Sequence, residues 1–349
     1  MSNTTNLKIF YTGATGYLGG DAWALLIETH PEWEARSTLL VRNEERGKVV
    51  QAKYPGARLV FGDLSDSTLL ETEAANIDIV VHCASIEDPH SSQALSNGLA
   101  KRHRHGPAHW IALSGTDSIT WRTIEENSYG TSYDNVYDDM DHVSEVTSLP
   151  DQAPHRNVEK IQQQCTTQNP SVKLAIVCPS CVYGVGEGCG NQRSIQLPEL
   201  AKYTIENGYA FKVGQGLCRW PNVHVRDHSR ILLFLIEDAM QGGVRDTLGK
   251  DAYYFAENGE HVWGDIAQLV AEEAKKQRLV DNASVKSFSA EEIDTQLDFG
   301  SAFYGTDSRC KAMRARQVLG WRPRQDSFEA EIARAVAIEG KSLRKQVEM

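Results

Sequence analysis

Leu7-Lys8-Ile9-Phe10-Tyr11-Thr12 is an apolar run that feeds straight into Gly13-Ala14-Thr15-Gly16-Tyr17-Leu18-Gly19, and a helical pattern follows. No other segment limits the fold as much. A strand, a turn with glycines at 13, 16 and 19, and a helix together make a cradle for phosphate. Gly13 permits the sharp exit from the strand, Gly16 lets backbone approach a pyrophosphate, and Gly19 lets the helix pack closely. The helix N-terminus presents free N–H groups and a positive dipole end to the anion. The ligand this context fits is a dinucleotide, and a purely structural turn is the plainer alternative.

The second strand bears on which dinucleotide. Ser37-Thr38-Leu39-Leu40-Val41 is β-branched and apolar, and Arg42 follows it. In this fold the residue after that strand lies beside the adenosine ribose. A carboxylate there would bind the ribose 2′-hydroxyl and repel a 2′-phosphate. Here Arg42 and Asn43 come first, and the first carboxylate is Glu44. A guanidinium is a good phosphate partner, so NADP is the expected cofactor. The alternative is an ordinary exposed cation at a strand end.

The chain has 349 residues, room for one large α/β domain or a core with a smaller lobe. A net charge of −11 argues against nucleic acid as a partner. No apolar run is long enough to span a membrane, and Met1–Asn6 is short and polar, so neither a membrane anchor nor a secretory signal is expected. Seven scattered cysteines, an odd number, read as reduced thiols in a cytoplasmic protein.

Strand and helix signals alternate through the first half. Strands are expected at 38–41, 58–61, 77–83, 110–113 and 172–177, with helices near 17–29, 44–54, 66–75 and 92–103. That alternation predicts an α/β fold of Rossmann type, a doubly wound parallel sheet covered on both faces. A small C-terminal substrate lobe should sit over the strand ends. The expected division is a dinucleotide-binding core over 1–177 and a mixed lobe over 178–349 with elements returning to the core. Helices are expected at 198–207, 227–240, 262–278 and 326–345, and the stretch 281–325 reads as polar and turn-rich.

In order and spacing, these motifs resemble the extended short-chain dehydrogenase/reductase superfamily, in its atypical, NAD-dependent epimerase/dehydratase-like branch. Thr12-Gly13-Ala14-Thr15-Gly16-Tyr17-Leu18-Gly19 is similar to that family's TGxxGxxG turn. Gly62-Asp63-Leu64 resembles its adenine-contacting pair, and Cys83-Ala84-Ser85 the segment along the cofactor's far side. Cys178-Pro179-Ser180-Cys181-Val182-Tyr183-Gly184 resembles RPxxVYG, Val223-His224-Val225-Arg226-Asp227 resembles VHVxD, and Leu319-Gly320-Trp321-Arg322-Pro323 resembles LGWxP. The resemblance implies that Thr15, Tyr17, Leu18, Asp63, Leu64, Cys83, Ala84, Ser85 and Pro179 contact the cofactor. A homodimer is the assembly it implies.

The family's catalytic set is a Ser or Thr after the fifth strand plus Tyr-x-x-x-Lys. Thr116 stands at the first position. Lys160 fits the lysine and would hold the nicotinamide ribose, but Arg156 stands where tyrosine belongs. Helical spacing puts Arg156 and Lys160 on one face. Arginine does not release a proton near neutrality, so it can serve as a fixed cation but not as the acid. His155 is the first candidate to replace the tyrosine, with an activity limb near pH 6–7, although one residue along a helix turns a side chain by roughly 100°. Tyr129, Tyr133 and Tyr137 are further candidates on a long segment that carries no Lys or Arg between Thr123 and His155. That acidic stretch disfavours a phosphorylated substrate if it covers the pocket, whereas Arg193 and Arg219 favour one. Metal readings are weak: Cys178-x-x-Cys181 lacks a second pair, and His103, His105 and His109 fit an exposed basic turn. No metal is expected.

Three functions compete. The first is an NADP(H)-dependent oxidoreductase acting on a small carbonyl or alcohol compound, with a non-standard proton relay. The second is a redox-neutral epimerase, isomerase or dehydratase. The third is a non-enzymatic NADP(H) sensor. Fold alone does not choose among them.

Overall fold

The apolar runs become one seven-stranded parallel sheet in the computed structural model, which describes residues 7–102 and 106–348. Its strands are β1 (Ile9–Thr12), β2 (Ser37–Val41), β3 (Arg58–Phe61), β4 (Ile79–His82), β5 (Ala108–Leu113), β6 (Val172–Pro179) and β7 (Tyr253–Ala256). They lie in the order β3-β2-β1-β4-β5-β6-β7. β1, β2, β4 and β5 are buried along their whole length. This is why they read as unbroken apolar runs instead of alternating patterns. The order in which strands are added switches sides between β1 and β4, which run parallel, and this opens a crevice at their C-terminal ends.

Short polar residues set where the helices begin. Asn43 accepts from the Arg46 N–H at the start of Glu44–Lys53, Asp66 caps Ser67–Ala75, and Asp88 caps Pro89–Ala100. Helix Tyr17–Thr29 packs against Val225–Met240, while Ser67–Ala75, Pro89–Ala100 and Arg156–Gln168 pack in series.

A second apolar core lies in the later half, around Tyr183, Leu200, Trp220, Trp263, Tyr304 and Phe328. It is framed by a three-stranded sheet of Cys181–Tyr183, Arg219–His224 and Glu260–Val262, and by the pair Ala210–Val213 with Val285–Phe288. Several later elements belong to the first core instead: Val225–Met240, β7, and the segment through Leu319 and Trp321. The 281–325 stretch is more ordered than its composition suggests. It holds the strand Val285–Phe288 and the helices Ala290–Asp294, Gly300–Tyr304 and Met313–Val318.

One expectation fails here. His109 is not part of an exposed turn; it lies buried within β5, and burial lowers its pKa to about 4. His103 and His105 lie outside the described residues. All seven cysteines are free, and burial pushes the Cys178 and Cys181 thiols up.

Candidate active site

The glycine turn is built by close contact. Gly13 has φ +88°, and a Cβ there would sit 2.6 Å from the Cys83 carbonyl. A Cβ on Gly19 would lie 2.6 Å from the Gly13 oxygen and 2.8 Å from the Cys83 Cβ. The third glycine, Gly16, precedes helix Tyr17–Thr29, and its N–H donates to the Gly13 carbonyl at 2.9 Å. Beside the turn is an open cleft. Gly13, Thr15, Gly16, Cys83 and Ala84 line one end, and Leu40, Arg42, Arg46, Gly62, Asp63 and Leu64 the other. Asp63 is held by the Ser65 N–H and hydroxyl, which, aided by Arg42, keep its carboxyl below the usual range. Neither Arg42 nor Arg46 forms a salt bridge among the described residues, and both are exposed. Bare backbone and a helix N-terminus at one end, with two guanidiniums at the other, fit a dinucleotide.

Other residues of the turn face elsewhere. The Tyr17 hydroxyl donates to the Gly184 carbonyl at 2.7 Å, so its ring turns toward the lobe. The loop 184–191 rests on the turn. The Asn191 N–H donates to the Thr15 carbonyl at 3.0 Å, and the Glu187 N–H to Asp21 at 2.9 Å. Leu18 packs on the core, Pro179 ends β6, and the Ser85 hydroxyl accepts from the Glu87 N–H.

At the C-terminal end of β5 the chain turns through Gly115 into a 3-10 helix, Thr116–Thr120. Thr116 is buried; its carbonyl accepts from the Ser308 hydroxyl at 2.8 Å, and its own hydroxyl has no partner among the described residues. Across from it stands His155, in left-handed backbone (φ +62°), immediately before helix Arg156–Gln168. Its ring is 1% exposed, with Nε2 2.6 Å from Asp117 and Nδ1 2.7 Å from Glu87. These contacts are short but bent away from ideal hydrogen-bond alignment, so charge attraction dominates them. Burial by itself would lower the histidine's pKa, but the two carboxylates outweigh it and carry the pKa up to about 10. His155 is therefore an imidazolium at neutral pH, and the limb expected at pH 6–7 is displaced by these partners. The donor atoms of Glu87, Asp117 and His155 lie within 4.8 Å of one another. The two ring nitrogens diverge, each toward its own carboxylate, which is the geometry of a doubly paired cation and not of one shared metal.

Arg156 and Lys160 are committed to other bonds. The Arg156 guanidinium donates to the carbonyls of Thr147 and Leu149 (2.5 and 3.1 Å), to Gln163 (3.1 Å) and to Glu159 (3.3 Å). Lys160 pairs with Asp151, 79% exposed, on the helix flank. Neither meets Thr116 or His155. The reason is helical phase: His155 and Glu159 are four residues apart and point to the sheet end, so Lys160 falls about 100° away.

The remaining candidates are also engaged. Tyr133 bonds Glu126 and Ser128, Tyr137 accepts from the Trp121 indole, and Tyr129 faces Asp294 and Glu291. Arg193 is bound to Glu339 and Glu199, and Arg219 lies 3.8 Å from Glu260. The acidic segment is partly folded, and Asp139 is buried, accepting from the Phe255 and Arg314 N–H groups. Sequence reasoning missed Arg46, Asp117, Glu87 and Glu159. Arg46 follows Arg42, and Glu159 follows His155, at a spacing of four, a signal that was available. The other two carry no local signature.

Comparison with known proteins agrees with this geometry. The model of the NAD dependent epimerase/dehydratase family matches residues 9–249. The chain belongs to that family. An oxidase, ucsJ, of an Acremonium species is 36% identical over 324 residues, covering 90% of this chain and 92% of its own. Among solved structures, a dTDP-glucose 4,6-dehydratase of Streptomyces venezuelae, with NAD bound, superposes with a TM-score of 0.66 at 18% identity; 97% of this chain and 98% of that one are covered. A UDP-glucose 4-epimerase of Thermotoga maritima, with UDP-glucose, gives 0.64 at 15%, over 97% and 100%. Both share this chain's fold, and the family's own description is of NAD-dependent epimerases and dehydratases. No helix among the described residues is long and apolar enough to cross a membrane.

Proposed function

We propose that this family member is an NADP(H)-dependent oxidoreductase acting on a small carbonyl or alcohol compound. The observation that carries the reading is the pair Arg42 and Arg46 at the adenosine end of the cleft, exposed and without salt bridges among the described residues. Two guanidiniums there suit a 2′-phosphate and have no role for a bare ribose. Gly13, Thr15 and Gly16 would hold the pyrophosphate. Bound cofactor would supply or accept a hydride at the carbon that carries the reacting oxygen. In the direction of reduction His155 gives that oxygen a proton, and in oxidation it takes one back. Thr116, whose buried hydroxyl is otherwise unpartnered, donates a hydrogen bond to the same oxygen. Seven free cysteines support a cytoplasmic site of action.

The family model also supports a redox-neutral reading, since its members include dehydratases and epimerases. Against sugar nucleotides stands the pairing of Arg193 and Arg219 with carboxylates. Calorimetric titration with NADP⁺ and NAD⁺, then spectrophotometric NADPH oxidation with small aldehydes and ketones, tests the proposal. Net NADPH consumption is expected; product without net consumption would establish the redox-neutral reading instead.

A further inference from the structure

The two carboxylates on His155 are not equivalent. Asp117 is seated: its Oδ1 lies where a Cβ on Gly115 would be, 2.3 Å from that position, and its side chain is 31% exposed. Glu87 is loose: its side chain is 68% exposed, and His155 is the only partner of its carboxylate among the described residues. Glu87 also comes shortly after Cys83 and Ala84, which line the cleft, on the loop that leaves β4. The ring is 1% exposed, so nothing reaches Nδ1 while Glu87 is in place.

We propose that Glu87 is a gate that occupies the substrate oxygen's position at His155 Nδ1 and swings away when substrate binds, while Asp117 stays on Nε2 as the positioning residue. The proposal rests on the oxidoreductase reading for the identity of the displacing oxygen. In reduction, the Nδ1–H bond breaks and the proton joins the oxygen that the incoming hydride has made basic. The neutral ring then regains a proton from water by way of Glu87. The charged groups facing the ring are Asp117, Glu87 and, one helical turn on, Glu159, itself paired with Arg156. Counting the ring and its two direct partners, the corner holds one positive and two negative charges. Once Glu87 has swung away, the imidazolium and Asp117 balance, so a neutral carbonyl or alcohol oxygen can take the Nδ1 position without leaving a charge unpaired.

The test uses NADP⁺-loaded protein with ¹⁵N-labelled histidine, followed by NMR titration and by carbethoxylation with diethyl pyrocarbonate, mapped by mass spectrometry. Glu87→Ala should lower the His155 titration by about one pH unit or less, since an exposed carboxylate is well screened. It should also speed His155 carbethoxylation at pH 7 at least tenfold. Asp117→Asn should lower the titration by more than one unit but leave the ring covered, so that its rate, corrected for the neutral fraction, stays near wild type. Should Asp117→Asn not fold, Gly115→Ala, which pushes Asp117 off its seat, must lower the titration likewise. Equal shifts and equal unblocking by the two carboxylate variants would overturn the proposal. So would wild-type His155 reacting at the rate of free histidine. Calorimetry on the same proteins before loading separates the two claims: failure to bind NADP⁺ sinks the cofactor reading and leaves the asymmetry of the corner to stand or fall by NMR on the unloaded protein.

Discussion

Arg156→Ala tests whether the arginine holds the floor of the site instead of acting within it. Glu159 is buried, with Oε1 accepting from the Ser114 hydroxyl (2.7 Å) and the Tyr253 hydroxyl (2.8 Å), and Oε2 from Arg156 (3.3 Å). Removing the guanidinium strands this carboxylate and also frees the Thr147 and Leu149 carbonyls. Breaking one side of a buried pair costs about 3–5 kcal/mol. With an unfolding entropy of roughly 2.1 cal/mol/K per residue, 349 residues give about 0.7 kcal/mol/K, so Tm should fall by about 4–7 °C. Calorimetry or urea unfolding measures this. The pH dependence discriminates further. Burial raises the Glu159 pKa above its unfolded value. A carboxyl raised in this way stabilises the fold fully below its unfolded pKa, and the contribution is lost as pH rises through the folded one. Loss of Arg156 should raise it further, so the deficit should deepen as pH rises above the usual carboxylate range. Arg156→Met with Glu159→Gln should recover much of the loss. A deficit under about 1 kcal/mol, or one that does not change with pH, would refute the argument.

Arg42→Ala should weaken NADP⁺ by about 1.5–3 kcal/mol and leave NAD⁺ nearly unchanged, and calorimetry giving equal affinities for both cofactors in the parent protein would refute the phosphate assignment. Gly16→Val should abolish dinucleotide binding in a folded protein, because a Cβ there meets only the Gly13 oxygen at 3.3 Å while its branches enter the cleft; titration of the folded variant decides. Burial lowers His82, His109 and His228 to about 4 and His261 to about 3. Their contribution is complete above the unfolded value near 6.5 and is lost as pH falls through 4, so urea unfolding between pH 7 and pH 4 should lose up to about 1.4 kcal/mol per pH unit for each. His155 acts in the opposite sense, its contribution being full below about 6.5 and fading toward pH 10.

The sheet was legible because its strands are buried on both faces, and such strands announce themselves as apolar runs between turn residues. The glycine turn was legible because few contexts need glycine at those three spacings. The lobe was less so: its elements around 285–304 are short and polar, and their order comes from packing on Trp263 and Tyr304, which local periodicity does not reveal. The corner around His155 was only partly legible, for a geometric reason. Counting four residues back from Lys160 selected Arg156, whereas the line of residues that reaches the sheet end runs through His155 and Glu159. Asp117 and Glu87 are brought to His155 from the ends of two different strands, and a sequence without the fold has no means of joining them.

The return of later segments to the first core sets the order in which this chain folds. β7 pairs with β6 only after the whole stretch 180–252 has been made, and the Trp321 indole donates to the Asp227 carbonyl at 2.8 Å under the same helix that backs Tyr17–Thr29. A nascent chain that has passed residue 177 carries six strands, an open β6 edge and a glycine-turn helix lacking its neighbour. Contacts so distant in sequence form late and leave apolar surface waiting. A chain terminated before residue 321 would therefore leave that helix without the indole beneath it, although every residue that lines the cleft had already been made.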